Sequence, residues 1–159
     1  MAKKDAFTGA KAAFTMFDAY VNAVGQEIGM ERAVSLLTKT AENMGTLQGQ
    51  MMKQQAGKNE FDTKTAASLM NSVPEDLGIE FKVIEQSPKK VVVKAGKCPM
   101  YEAAQMLGMD GKTIEGMCQA SSARFMATLV KQLNPNLSFR IAKFRSAPGD
   151  FCLEELTLA

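Results

Sequence analysis

The chain has 159 residues, 46% of them hydrophobic, and a formal net charge of +2, so it suits one domain that buries about two-thirds of its unfolded surface and gives no electrostatic argument for nucleic acid or an anionic membrane. It contains no histidine, which excludes Ser-His-Asp and Cys-His nucleophile activation, histidine general bases and every zinc site that needs an imidazole. Three cysteines are an odd number behind a start, Met1-Ala2-Lys3-Lys4-Asp5, that lacks the pattern of a signal peptide; with no run of roughly 18 apolar residues, reduced thiols in a cytoplasmic protein are expected.

In chain order, Phe7, Phe14, Phe17, Val21, Val24 and Ile28 recur at helical spacing, with Lys11, Asp18 and Asn22 on other faces. A second helix runs from about Glu31 to about Gln54 on the stripe Ala33, Leu36, Leu37, Thr40, Met44, Leu47 and Met51. Gly45 and Gly49, four apart, permit close contact with another helix, although each costs about 1 kcal/mol against alanine. The two helices pack as a core hairpin, or the phenylalanine face meets a second copy as a homodimer.

After the polar break at Gln55-Ala56-Gly57-Lys58-Asn59-Glu60, Asp62 is placed to cap a short helix that turns Ala66, Leu69, Met70 and Val73 inward and stops before Pro74. Beyond Gly78 the period changes to two. Ile79, Phe81 and Val83 form one strand, Gln86-Ser87-Pro88-Lys89 a turn, and Val91-Val92-Val93 the return strand of a hairpin. Met100 to Leu107 reads as a short helix and Asp110 to Leu133 as a long one. Leu137 to Ile141 and Phe151 to Leu156 are two final strands. The fold class expected is α+β: one domain over 1–159, helical over 1–76, with an antiparallel four-stranded sheet over 77–159 and helices packed on one face.

The candidate chemistry lies behind residue 96, where all three cysteines fall. Cys98 precedes Pro99, which favours the first helical position, so its sulfur should meet a helix N-terminus. The unpaired amides there, with Lys94 and Lys97, would lower the thiol pKa toward neutrality and make a nucleophile without histidine. Glu102, one turn on, is the candidate proton carrier. A small buried residue at a strand-to-helix turn is the alternative reading of Cys98. Cys118 shares the apolar side of the long helix with Ile114, Ser121 and Phe125. Alternation puts Cys152 on one face with Glu154 and Leu156 without saying whether that face is the core. The three thiols lack a local CxxC pair, so zinc through Cys98, Cys118 and Cys152 is disfavoured and no cofactor is expected. Met100, Met106, Met109, Met117 and Met126 cluster between the sheet halves and suit either an ordinary core or an adaptable apolar pocket.

Cys98-Pro99-x-Tyr101-Glu102, Cys118, Asn134-Pro135-x-Leu137 and Gly149-Asp150-x-Cys152 resemble the C-terminal pattern of the L-2-amino-thiazoline-4-carboxylic acid hydrolase-like family over residues 90–158. More distantly the ending resembles vinyl-4-reductase domains, which bind small hydrophobic molecules, often as dimers. The resemblance departs at Cys118-Gln119-Ala120-Ser121-Ser122, where the family has an acidic residue, and at Phe139 to Phe144, which lacks the glutamate and cysteine of the vinyl-4-reductase zinc site. It implies hydrolysis of a C–N bond in a small cyclic substrate. Cys98 and Glu102 would be catalytic, with Tyr101, Met100, Met117, Cys118, Arg140 and Cys152 binding the ligand and Arg140 or Lys143 available for a carboxylate. The alternative is a noncatalytic or redox-sensing dimer that holds a small apolar molecule. Both readings require the three thiols to border one hollow.

Overall fold

The computed structural model describes residues 3–58 and 61–159. Two long helices, α1 (Lys3–Ile28) and α2 (Met30–Ala56), are parted at Gly29, whose φ of +88° is a conformation that suits glycine. Gly57 ends α2 in the left-handed region, its N–H donating to the Gln54 carbonyl. The outward face of α2 leaves Leu36, Met44, Leu47 and Met51 exposed, and α1 adds Met16 and Tyr20. The phenylalanines of α1 do not form this outer surface: Phe14 and Phe17 pack edge to face and are half-buried. Asp18, expected on a polar face, is instead wholly buried, in line with Phe14 and Val21 on the side of α1 that meets α5 and α2.

The Asp62 carboxylate accepts the Thr65 N–H at 2.7 Å and starts α3 (Thr63–Met70). The expected stop before Pro74 is corrected. After one break at Asn71 the chain enters α4 (Ser72–Asp76) with Pro74 in its first turn, where no amide needs an intrahelical partner.

Strands β1 (Phe81–Ser87) and β2 (Lys90–Ala95) form the expected hairpin, tighter than the sequence suggests because the turn proper is only Pro88-Lys89. The chain continues through α5 (Pro99–Met106), α6 (Gly111–Cys118), a π-helical turn (Gln119–Ala123), α7 (Arg124–Leu133), β3 (Leu137–Lys143) and β4 (Cys152–Leu158). The long helix expected from Asp110 is thus one helical run with a widened turn inside it. Asp110 caps it by accepting from the Thr113 amide and hydroxyl.

The sheet is antiparallel throughout, in the order β1-β2-β4-β3. The last strand therefore lies between the hairpin and β3, pairing Ala95 with Cys152, Val93 with Glu154 and Ile141 with Glu154. The inner face packs Val91, Val93 and Leu156 against Ala66, Met70, Leu129 and Leu133 of α3 and α7. Burial of such side chains supplies about 25 cal/mol per Å² of apolar surface. Gly45 and Gly49 bring α2 close to α7: a Cβ at residue 45 would stand 2.5 Å from the Phe125 carbonyl oxygen, and one at residue 49 would stand 2.7 Å from that of Leu129. The Asn134 side chain, buried beyond α7, donates to the Phe61 carbonyl at 2.9 Å and accepts from the Asn136 amide. The Asn134-Pro135 motif is therefore a clasp between α7, β3 and the segment before α3. No helix among the described residues is long and apolar enough to cross a membrane.

Candidate functional site

A cavity of about 350 Å³ lies between the inner face of the sheet and the helices. Its floor is β2, β3 and β4 through Ala95, Phe139, Ile141, Cys152 and Glu154; its walls include Phe14 of α1, Ala41 of α2, Pro74 of α4, Met100 and Tyr101 of α5, and Ser121 and Ser122 of the π-helical turn. The widened turn displaces these serines from regular helical positions, a distortion that often accompanies function. Cys98, Cys118 and Cys152 all border this one space, and the thiols are close enough to influence one another electrostatically. None is in a disulfide.

Cys98 is the N-cap of α5 and Pro99 its first residue. The amides of Met100 and Tyr101 and the charge of Arg145 do favour its thiolate, but burial outweighs them and the thiol is pushed above its ordinary value. The expected shift toward neutrality is thereby corrected. Of the lysines expected to assist, Lys97 is exposed and Lys94 lies over the Phe151 ring at 4.0 Å. Cys118, at the end of α6, is raised as well, by burial first and by the other two thiols and Glu154 in addition.

The remaining predicted residues divide. Met100 and Tyr101 line the cavity; Met117 is buried away from its wall. Glu102 turns toward α1, where it meets Lys11 at 3.4 Å, and does not line the cavity. Arg140 stands on the outer face of the sheet with a side chain 65% exposed, paired to Glu155 at 2.9 Å. Lys143 pairs with Asp150 at 2.8 Å and covers Phe151. Neither cation is presented to a ligand in the cavity. Among the clustered methionines only Met100 and Met126 line it, Met106 being 68% exposed. Phenylalanines 14, 81, 125, 139 and 144 take the role expected of methionine.

Two residues not singled out by the sequence dominate the cavity's polar chemistry. Arg145, only 4% exposed, donates from Nη2 to the Gly96 carbonyl at 2.6 Å and to that of Ala95 at 3.5 Å, and from Nη1 to the Asp150 carbonyl at 3.3 Å. Its guanidinium carbon lies 5.6 Å from the centre of the Tyr101 ring. The loop holding it is closed by Asp150, whose carboxylate accepts from Lys143, Ser146 and its neighbour's amide at Phe151. These bonds hold the Asp150 carboxyl well below the usual range.

Glu154 lines the same space on β4. Burial raises its pKa to about 7, with Arg145 acting in the opposite direction. The alternation Cys152, Glu154, Leu156 was the available signal for Glu154; that this face is the inner one follows from the pairing of β4 with β2. Nothing local marked Arg145, because an arginine in a polar loop ordinarily faces water. Among the described residues no three Cys, Asp or Glu side chains are grouped to hold a metal ion.

Comparison with known proteins agrees with this geometry at the level of family and fold. Two solved structures share the fold at low identity. One is the phenol-responsive sensory domain of the transcription activator PoxR with phenol, at a TM-score of 0.63 and 11% identity, covering 91% of this chain and 74% of that one. The other is trafficking protein particle complex subunit 3 from Naegleria fowleri covalently bound to palmitic acid, at a TM-score of 0.56 and 12% identity, covering 94% of this chain and 96% of that one. No curated protein matches the chain. The family model described as L-2-amino-thiazoline-4-carboxylic acid hydrolase matches residues 9–153. That match takes in the helical half as well as the cysteine-bearing half, and the chain belongs to the L-2-amino-thiazoline-4-carboxylic acid hydrolase family.

Proposed function

We propose that the protein binds a small, largely apolar molecule in the cavity between sheet and helices and does not turn it over. The observation that carries this reading is the cavity itself: about 350 Å³, walled mainly by aromatic and aliphatic side chains, with few polar groups. Such dimensions and lining are those of small-molecule sites. The chemistry for attack is poorly supplied, because burial holds the Cys98 thiol in its protonated form and Glu102 is paired with Lys11 outside the cavity wall. The similarly folded proteins were crystallised with phenol and with covalently bound palmitic acid, which supports an apolar ligand for a chain of this fold.

The test is fluorescence titration with the neutral probe N-phenyl-1-naphthylamine. Saturable binding should be lost when Ala41→Phe or Ala123→Phe fills the cavity, with thermal melts showing that each variant still folds. Leu47→Ser, on the exposed stripe of α2, should leave binding unchanged. Binding that survives filling and disappears with Leu47→Ser would place the probe on the outer surface and refute the reading.

Family membership favours a second reading, hydrolysis of a C–N bond with Cys98 as nucleophile. It predicts turnover of L-2-amino-thiazoline-4-carboxylic acid that Cys98→Ser abolishes in a folded protein. Absence of turnover across pH 6–9 would remove it.

A further inference from the structure

The polar groups of the cavity differ sharply in what they leave unused, and this deepens the binding reading on which it rests. Arg145 carries the obvious charge, yet both terminal nitrogens are engaged with backbone carbonyls of Ala95, Gly96 and Asp150. Its fork is therefore not free to take a carboxylate in the bidentate manner that makes arginine a good anion site. Glu154 is the reverse case. Its carboxyl lines the cavity and has no hydrogen-bond or ion-pair partner among the described residues. The adjacent Glu155, on the opposite face of the same strand, has Arg140 and Lys90. Burial favours the neutral carboxyl of Glu154 and Arg145 favours the ionised one, and either form offers an oxygen that accepts a hydrogen bond.

The two side chains together also decide against charged ligands. A cationic head near Glu154 would face the guanidinium of Arg145, and an anionic head would face Glu154 while finding Nη2 of that guanidinium, which both bidentate edges require, already engaged. Each would in addition lose its hydration in an apolar space, which is far more costly for an ion than for a neutral hydroxyl. The other oxygens of the wall are engaged within the protein, Thr40 donating to the Leu36 carbonyl, Ser121 to that of Met117, Ser122 to the Met100 sulfur, and Tyr101 accepting from Gln105, so the one unmatched carboxyl acceptor asks for one donor on an apolar body. We propose that the cavity selects a neutral ligand, an aromatic or aliphatic body bearing a single hydroxyl that donates to the Glu154 carboxyl.

The experiment compares four probes of one shape on the full chain, by displacement of N-phenyl-1-naphthylamine and by calorimetry: butylbenzene, 4-butylphenol, 4-butylbenzoate and 4-butylbenzylamine. The phenol should bind roughly tenfold or more tightly than butylbenzene, the range expected for a hydrogen bond to a buried charged or polar group, and both ions should bind more weakly than the phenol. Glu154→Leu should erase the advantage of the phenol and leave butylbenzene unchanged. Glu154→Gln, which keeps an acceptor oxygen in the same shape, should retain the preference. Tightest binding of the benzoate would instead assign head-group recognition to Arg145, and tightest binding of the amine would make Glu154 a counter-ion; either overturns the proposal. Equal affinity for butylbenzene and butylphenol would overturn it too, showing that the cavity reads shape alone. Failure of all four probes to bind would refute the binding reading itself, and is distinguishable from loss of discrimination.

Discussion

Asp18 offers the most direct test of the structure through stability. It is 0% exposed, and neither carboxyl oxygen has a hydrogen-bond partner among the described residues. Burial raises its pKa from 3.8 to about 6. A carboxyl raised in the folded state binds its proton more tightly there than in the unfolded chain, so its effect on stability is favourable at low pH and is lost as pH rises from about 4 through about 6. A shift of about two units at about 1.4 kcal/mol each is close to 3 kcal/mol. Because α1 is an outer helix with exposed residues on either side of Asp18, water can relax around the ionised group, and about 1 to 3 kcal/mol is the working figure. Asp18→Asn removes the ionisation and keeps the shape. The variant should match the parent in thermal melts near pH 4 and exceed it at pH 7.5 by about 3 to 10 °C. Taking the difference between the two proteins cancels the titration of Glu154, which moves stability in the same direction. A difference that does not change with pH, or an asparagine variant that is less stable at pH 7.5, would refute the burial of an unpartnered carboxyl at this position.

Arg145→Met should lower stability in urea by about 2 to 4 kcal/mol, because the carbonyls of Ala95, Gly96 and Asp150 lose a donor; a loss below about 1 kcal/mol would show that the arginine is not held as described. Gly45→Ala and Gly49→Ala gain about 1 kcal/mol of helix propensity each, yet both should destabilise in urea by about 1 to 3 kcal/mol net, since the added carbons meet the backbone of α7. Iodoacetamide labelling followed by mass spectrometry should be slow at all three cysteines at pH 7 and should accelerate at Cys98 only as pH rises above the ordinary thiol range; rapid labelling of Cys98 at pH 7 would contradict its raised pKa. Asp110→Ala removes the cap of α6 and should cost about 1 kcal/mol in thermal melts.

Sequence alone determined the features that arise between near neighbours along the chain. Apolar residues three and four apart specified α1 and α2 as helices, although Leu36, Met44, Leu47 and Met51 of the α2 stripe face outward and Ala33, Ala41, Gly45, Gly49 and Met52 are the buried side, and the β-branched run at Val91-Val92-Val93 specified a strand. Asp62 and Asp110 marked helix starts through bonds that span only three residues, and Gly45 and Gly49 marked where two backbones approach. The grouping of cysteines behind residue 96 pointed to one part of the cavity wall only, since α1, α2 and α4 line it too through Phe14, Ala41 and Pro74. Each of these signals is local because the interaction behind it is local.

Tertiary structure decided what depends on partners distant in sequence. Alternation along β4 separated Cys152, Glu154 and Leu156 from their neighbours, but only insertion of β4 between β2 and β3 turned that set inward and placed it beneath the helices. Glu102 and Arg140 had suitable chemistry and were drawn elsewhere, to Lys11 on α1 and Glu155 on the outer sheet face. Arg145 and Asp18 moved the other way, from sequence contexts that read as solvent-facing into the interior. The electrostatics of Cys98 followed the same rule: its place at a helix start was legible from Pro99, whereas the burial that raises its pKa is set by the whole of the surrounding fold.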